Sequence, residues 1–250
     1  MLQFRGVGNP FITLAEVDST NNYAMARVSE GPVSDGTTWF ALKQTAGKGQ
    51  RGRPWQSAPG ENILLSIVLK PLMLRPAEQF MLSASVALGA YDLVQKYAGD
   101  ATKIKWSNDL YVGDKKAGGI LIENVLRGND WNYAIVGIGL NVNQVNFPPE
   151  LPNPVSLGQL TGRRYDAVRL GRELCACIDE RYRVLRPENF SRILTEYNSA
   201  LYHLKQERSF RMGDESFKAS LQGVEKDGKL ILLKEGALLR LGFGEITFVL

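Results

Sequence analysis

The residues just beyond a glycine-rich basic loop decide what this chain can fold into. The stretch KQTAGKGQRGRPW, Lys43 to Trp55, leaves a strand-like run, TTWFALKQ. Gly47, Gly49 and Gly52 spell G-x-G-x-x-G, a spacing that cradles a dinucleotide only when a helix opens at the last glycine. Here RPWQSAPGEN comes next, with two prolines and another glycine, and no helix forms there. The same residues nearly spell the phosphate loop G-x-x-x-x-G-K-S/T. Arg53 stands at its lysine, however, and Pro54, which has no N–H to donate, stands at its hydroxyl position. Strict β-α-β alternation is also missing along the chain, which argues against a doubly wound parallel sheet.

The remaining pattern predicts a mixed α/β domain. FITLAEV reads as a strand, and Asp18 or Ser19 caps a helix running to about Ser29 and ended by Gly31-Pro32. NILLSIVLKP is a buried strand, and PAEQFMLSASVALGAYDLVQKYAG is a long helix with Pro76 at its start and Gly99 beyond its end. TKIKW is a short strand, DLYVGDKKAGGILIENVL a hairpin turning at Gly113-Asp114, and WNYAIVGIGLNVN another buried strand. Two helices are expected over about 165–186 and 188–204. From about Glu207 the runs shorten and alternate between turn signals (MGDE, EKDGK, KEG, GFG), which predicts a small all-β module.

A chain of 250 residues with 44% hydrophobic and 22% charged residues can bury a full core. The net charge of +4 is modest for a dedicated nucleic-acid binder. The two cysteines, Cys175 and Cys177, fall at i and i+2 of an expected helix and point to different faces. They read as small apolar residues of a reducing compartment rather than a bridge or a metal pair. No secretion signal and no apolar run of membrane-spanning length is visible. A soluble cytoplasmic protein without membrane contact is the expectation.

The loop itself admits two readings. It could be a solvated basic tip that touches RNA. It could instead order around an anion, its glycines allowing close backbone approach and Lys48, Arg51 and Arg53 neutralising charge. Pro54 and Trp55 favour the second, because an indole beside a rigid neighbour packs under an ordered loop or over a nucleobase. Three further stretches put polar groups at strand ends. DSTN supplies two hydroxyls and an amide. KWSNDLYVGDKKAGGI carries Lys105, Asn108 and Asp109 before a hairpin that brings Lys116 back beside them. GIGLNVN ends an apolar strand on Asn141 and Asn143.

In this order the stretches resemble the biotin–protein ligase family. Its G-R-G-R-x-G-R-x-W is similar to GKGQRGRPW and its K-W-P-N-D to KWSND. The lysine and glycines after its hairpin are similar to KKAGGI, its G-x-G-x-N-x-N to GIGLNVN and its S-T-N to residues 19–21. The similarity covers about residues 14–145 and returns weakly at Gly244–Ile246. It implies an α/β (α+β) fold. A class II synthetase-like mixed sheet with helices would occupy 1–204, and a C-terminal SH3-like β-barrel 205–250. It also implies an enzyme that forms biotinyl-5'-AMP from biotin and ATP, with Mg2+, and passes biotin to one lysine of a carboxylase's biotin-carrier domain.

Carried over by motif, Ser19, Thr20, Asn21 and Gln44 would bind and enclose the ureido ring, with Gly119 in the same pocket. Gly47, Lys48, Gly49 and Gln50 would fold over biotin, and Arg51 and Arg53 over the adenylate. Trp55 would sit at the adenine side. Lys105, Asn108, Asp109 and Asn141 would face the nucleotide. Lys116 would contact the biotin carboxylate and the α-phosphate. Lys116, Arg53 and Asp109 form the expected catalytic set, Asp109 orienting the acceptor lysine; no metal ligand is identified. Lys48 and Gln50 stand where arginine is usual and Ser107 where proline is usual; glutamine keeps hydrogen bonding but loses the charge and the fork. Fewer than 20 residues precede the S-T-N, so a monofunctional ligase without a DNA-binding domain, monomeric or homodimeric, is expected. A lipoate or octanoyl ligase of the same fold and a nucleic-acid-binding module are the rivals.

Overall fold

The computed structural model describes residues 4–128 and 130–249. Its main layer is a seven-stranded mixed sheet in the order β1-β2-β3-β7-β6-β5-β4. The strands are β1 (Phe11–Val17), β2 (Thr38–Gln44), β3 (Ile63–Leu69), β4 (Thr102–Lys105), β5 (Asp109–Val112), β6 (Lys115–Arg127) and β7 (Asp130–Leu140). β1 and β2 run parallel, joined by α1 (Thr20–Glu30); every other neighbouring pair is antiparallel. All seven residues of β3 are buried, as a strand covered on both faces requires. Strand alternation sends Phe40, Leu65 and Ile67 toward the main core with α2 (Gln79–Ala98), and Trp39, Val68 and Ile135 toward α1. The α1 face is the one that carries the site.

α3 (Leu157–Thr161), a short helix held by a Ser156–Gln159 capping box, lies outside the sequence expectation. α4 (Ala167–Arg183) is capped by Asp166, whose carboxylate accepts from Val168 and Arg169 N–H. Its cysteines are free, and burial pushes their thiols up to about 12 for Cys175 and about 11 for Cys177. α5 (Phe190–Ser199) stops five residues short of the expected end. The backbone of residues 200–202 leaves the helix to bond Ile104, through Ile104 N–H to Ala200 C=O at 2.8 Å and Tyr202 N–H to Ile104 C=O at 2.8 Å. His203 and Lys205 then take positive φ, 60° and 59°, and the chain enters a second sheet.

That sheet is antiparallel, in the order β11-β10-β9-β8-β12, built from β8 (Glu207–Met212), β9 (Glu215–Val224), β10 (Leu230–Lys234), β11 (Ala237–Leu241) and β12 (Thr247–Phe248). The α/β fold with a small C-terminal antiparallel sheet is the architecture the sequence predicts. Phe243, after β11, stacks flat on Trp106, with centroids 5.0 Å apart and planes 4° from parallel. This contact carries the small sheet to the open edge of the large one. No helix among the described residues is long and apolar enough to cross a membrane.

Candidate active site

A cavity of about 870 Å³ opens on the α1 face of the large sheet. Its floor is β6 and β7, and its walls are the loop after β2, the segment 147–154 and the turn after β11. Ser19, Thr20, Asn21, Gln44, Lys48, Gly49, Gln50, Arg51, Arg53 and Trp55 all line it, as do Lys105, Asn108, Asp109, Lys116, Gly119 and Asn141. Gly47 does not. Its place is beneath the loop, where a Cβ would lie 2.5 Å from the Trp55 carbonyl oxygen.

The glycine-basic loop is a short hairpin. Trp55 N–H donates to Gly47 C=O at 2.8 Å and Gly49 N–H to Arg53 C=O at 2.7 Å, with a single 3-10 turn, Gln50–Gly52, at the tip. Arg51 and Gly52 both have positive φ there, 56° and 71°. The Trp55 indole packs on the strand floor against Gly119 and Gly139, and glycine at these positions leaves room for it. Its Nε1 is buried without a hydrogen-bond partner among the described residues. The Lys116 ammonium sits 5.8 Å from the indole centroid.

The polar end of the cavity starts where β1 turns into α1. Ser19, Thr20 and Asn21 are 2%, 4% and 3% exposed. The Gln44 carbonyl accepts from the Thr20 N–H at 2.7 Å and lies 3.0 Å from the Thr20 hydroxyl. Asn21 donates to Glu123 at 2.7 Å. Ser66, fully buried on β3, lies 2.8 Å from Thr20 Oγ1 and 2.5 Å from Asn21 Oδ1.

The cationic end is set by the β5–β6 hairpin. Asp109 opposes Gly119 across it, and a register shift after Leu110 pairs Tyr111 with Lys116. The result is an ion pair, Lys116 Nζ to Asp109 Oδ1 at 2.7 Å. Asn108 is pinned to β6: its amide donates to Ile120 C=O, its carbonyl oxygen accepts from the Ser107 hydroxyl at 3.0 Å, and its backbone C=O accepts from Ile120 N–H at 3.0 Å. Lys105 lies 3.3 Å from the Tyr111 hydroxyl and over the rings of Tyr111 and Phe248, at 5.0 and 5.3 Å. Burial pulls the Lys105 ammonium below the usual lysine range; Asp109 offsets this and Lys116 adds to it. A buried ammonium of this kind is stabilised by an incoming anion. Asn141 ties the end of β7 to the 147–154 wall, donating to Val155 C=O at 3.1 Å. Asn143 clamps Tyr165 through two backbone hydrogen bonds of 2.8 Å and takes no part in the cavity.

Four features escaped the sequence reading: Ser66, Glu123, the Trp106–Phe243 stack and the 147–154 wall. Ser66 had a legible signal, as the lone polar residue in an otherwise apolar strand. Glu123 had none until the register of β6 was known.

Comparison with known proteins agrees with this geometry. The model of the Biotin/lipoate A/B protein ligase family matches residues 14–141. The bifunctional ligase/repressor BirA of Bacillus subtilis is 31% identical over 87% of this chain and 67% of its own length. The biotin–[acetyl-CoA-carboxylase] ligase of Paracoccus denitrificans is 30% identical over 88% of this chain and 92% of its own. The biotin protein ligase of Aquifex aeolicus, solved in complex with biotin and ATP, superposes with a TM-score of 0.81 at 28% identity, covering 98% of this chain and 99% of that one. On sequence and fold, the chain belongs to the Biotin/lipoate A/B protein ligase family.

Proposed function

We infer that this chain is an ATP-dependent biotin–protein ligase. It joins biotin to AMP and transfers the biotinyl group to a lysine of a carboxylase's biotin-carrier domain. One observation carries the reading: a hydroxyl–amide cluster of buried Thr20 and half-buried Gln44 shares a single cavity, across Trp55, with a cation cluster (Lys105, Lys116, Arg51, Arg53). The first end suits a neutral polar ring and the second a carboxylate meeting a triphosphate. The biotin and ATP bound by the Aquifex aeolicus ligase are the ligands of this proposal.

In the first step the biotin carboxylate attacks the α-phosphorus in line and pyrophosphate leaves. Both reactants are anionic, so the step depends on cations that screen them and on positioning. Lys116 is placed for the carboxylate and α-phosphate, and Arg51 and Arg53 for the phosphate chain. Magnesium would arrive with the nucleotide and help neutralise it. Among the described residues no group of three or more His, Cys, Asp or Glu side chains could hold a metal ion.

In the second step the acceptor amine attacks the mixed anhydride and AMP leaves. Asp109, beside Lys116, is the group proposed to orient that amine. The hairpin 47–55 keeps water from the anhydride. Residues 1–204 would form the catalytic domain in this scheme, and 205–250 a second one that lends Phe243 and Phe248 to the cavity rim.

The reading predicts that the protein exchanges labelled pyrophosphate into ATP only when biotin is present. Lipoate should not replace biotin. Folded protein that shows no biotin-dependent exchange would overturn the assignment. It also predicts that Arg53→Ala and Gly52→Val release the adenylate. Gly52 has open space around its Cα but φ at 71°, so valine strains the turn by about 1–3 kcal/mol without a clash. ATP consumption with biotin but no acceptor should rise in both variants, with hydroxylamine trapping the escaping anhydride. Unchanged consumption together with unchanged ligation would remove the hairpin's lid role.

A further inference from the structure

We propose that Glu123 is a specificity-determining positioning residue: through Asn21 it fixes the proton polarity of the pocket so that the Thr20–Gln44 corner can only accept, and therefore selects a ligand bearing N–H donors. This rests on the biotin-ligase reading and deepens it.

The pocket is one proton short. Three oxygen–oxygen contacts join Asn21, Ser66, Thr20 and Gln44: Ser66 Oγ to Asn21 Oδ1 at 2.5 Å, Ser66 Oγ to Thr20 Oγ1 at 2.8 Å, and Thr20 Oγ1 to Gln44 Oε1 at 3.0 Å. Only two protons, one per hydroxyl, are available for them. Both ends of the chain of contacts have fixed polarity. A carboxylate only accepts, so Glu123 takes the Asn21 amide N–H at 2.7 Å and turns Asn21 Oδ1 toward Ser66. The Thr20 backbone N–H only donates, so it holds Gln44 Oε1 toward Thr20 at 2.7 Å.

The Ser66–Asn21 contact is the shortest of the three, 2.5 Å between partners 0% and 3% exposed, and takes Ser66's proton, since an unfilled acceptor pair there has no water to turn to. Ser66 then presents a lone pair to Thr20, and Thr20's proton fills that contact, whose partners are both buried, rather than the one to Gln44, which is half-buried and already takes the Thr20 N–H. The deficit falls on Thr20 Oγ1 and Gln44 Oε1, two acceptors facing each other at the cavity wall. A ligand N–H is what that corner lacks. The ureido ring of biotin carries two; the dithiolane ring of lipoate carries none. A site whose buried polar groups await a donor rejects an analogue without one far more strongly than a size mismatch does.

Glu123→Gln keeps the shape but lets the side-chain amide present either face, so the polarity of the whole network is no longer imposed. The test uses the whole 250-residue chain, with biotin titration and pyrophosphate exchange on the wild type, Glu123→Gln and Ser66→Ala. Expected is a rise of at least about tenfold in the Kd and KM for biotin, while kcat at saturating biotin and the KM for ATP stay within about twofold. A general loosening of the fold would shift the ATP KM and kcat as well. Unchanged biotin affinity in Glu123→Gln, or an equal loss for ATP, overturns the proposal. If Glu123→Gln does not fold, Ser66→Ala decides: it frees Thr20 to donate to Gln44, which fills the Gln44 lone pair left for the ligand N–H, so biotin affinity must still fall. A wild-type protein that does not bind biotin at all would sink the ligase reading instead.

Discussion

Lys116→Ala is expected to cut biotin-dependent pyrophosphate exchange by on the order of 10²–10³-fold and to leave the fold intact. The two halves of this expectation have different sources. For stability, the Lys116–Asp109 pair is one-third exposed, 33% and 29% for the two side chains. Exposed pairs of this kind contribute ~0–1 kcal/mol, which shifts Tm by no more than about 2–4 °C in a chain this long. For chemistry, Lys116 is held by the hairpin beside Asp109 and over the Trp55 ring. From there its charge can meet a carboxylate and a phosphate oxygen together, as two anions brought into contact require. Lys116→Arg should recover little, because a planar fork does not occupy the position of a compact ammonium. Exchange rates and thermal melts on the same preparations decide the matter. A Lys116→Ala enzyme with near-normal turnover would remove this lysine from the mechanism, and one that melts tens of degrees lower would make it structural.

Part of this site was legible in the sequence because part of it is local. The hairpin that returns Lys116 to Asp109 is marked by its turn at Gly113-Asp114, so the meeting of the two could be expected. The register shift after Leu110, which sets which residue faces which, leaves no trace in composition. The basic loop could be read as non-helical from Pro54 and the glycines, but its hairpin form depends on Trp55 N–H reaching Gly47 C=O. That bond in turn depends on the indole finding a flat floor on strands more than sixty residues away. The same distance in sequence hid Glu123: it reads as an exposed polar position on a strand until β6 and α1 are brought together. At the other end, the last helix is expected to run to about 204, although the pull of Ile104's backbone ends it at Ser199. Short-range chemistry writes motifs, whereas partners supplied by another strand do not.

Gly139→Val is the second change expected to be severe, and it tests the floor rather than the charges. Gly139 lies on β7, opposite Gly119 of β6 and Leu64 of β3. A Cβ built there falls 2.7 Å from Cζ2 and Nε1 of Trp55, closer than real Cβ contacts allow. The strand cannot yield, because it is hydrogen-bonded on both sides, and valine itself suits a strand well. The indole must lift, and the hairpin 47–55 is attached to it. Binding of biotin and of ATP should therefore both fall by about 100-fold or more, as an ångström-scale displacement of positioning groups does, while circular dichroism stays that of a folded α/β protein. A double-mutant cycle separates the clash from any damage to the sheet. In a Trp55→Ala background valine at 139 meets an empty floor, so its cost in stability should largely vanish, although ligand binding stays lost. Wild-type affinity in Gly139→Val, or an undiminished stability cost after Trp55 is removed, would mean that the tryptophan does not rest on this strand when the enzyme works.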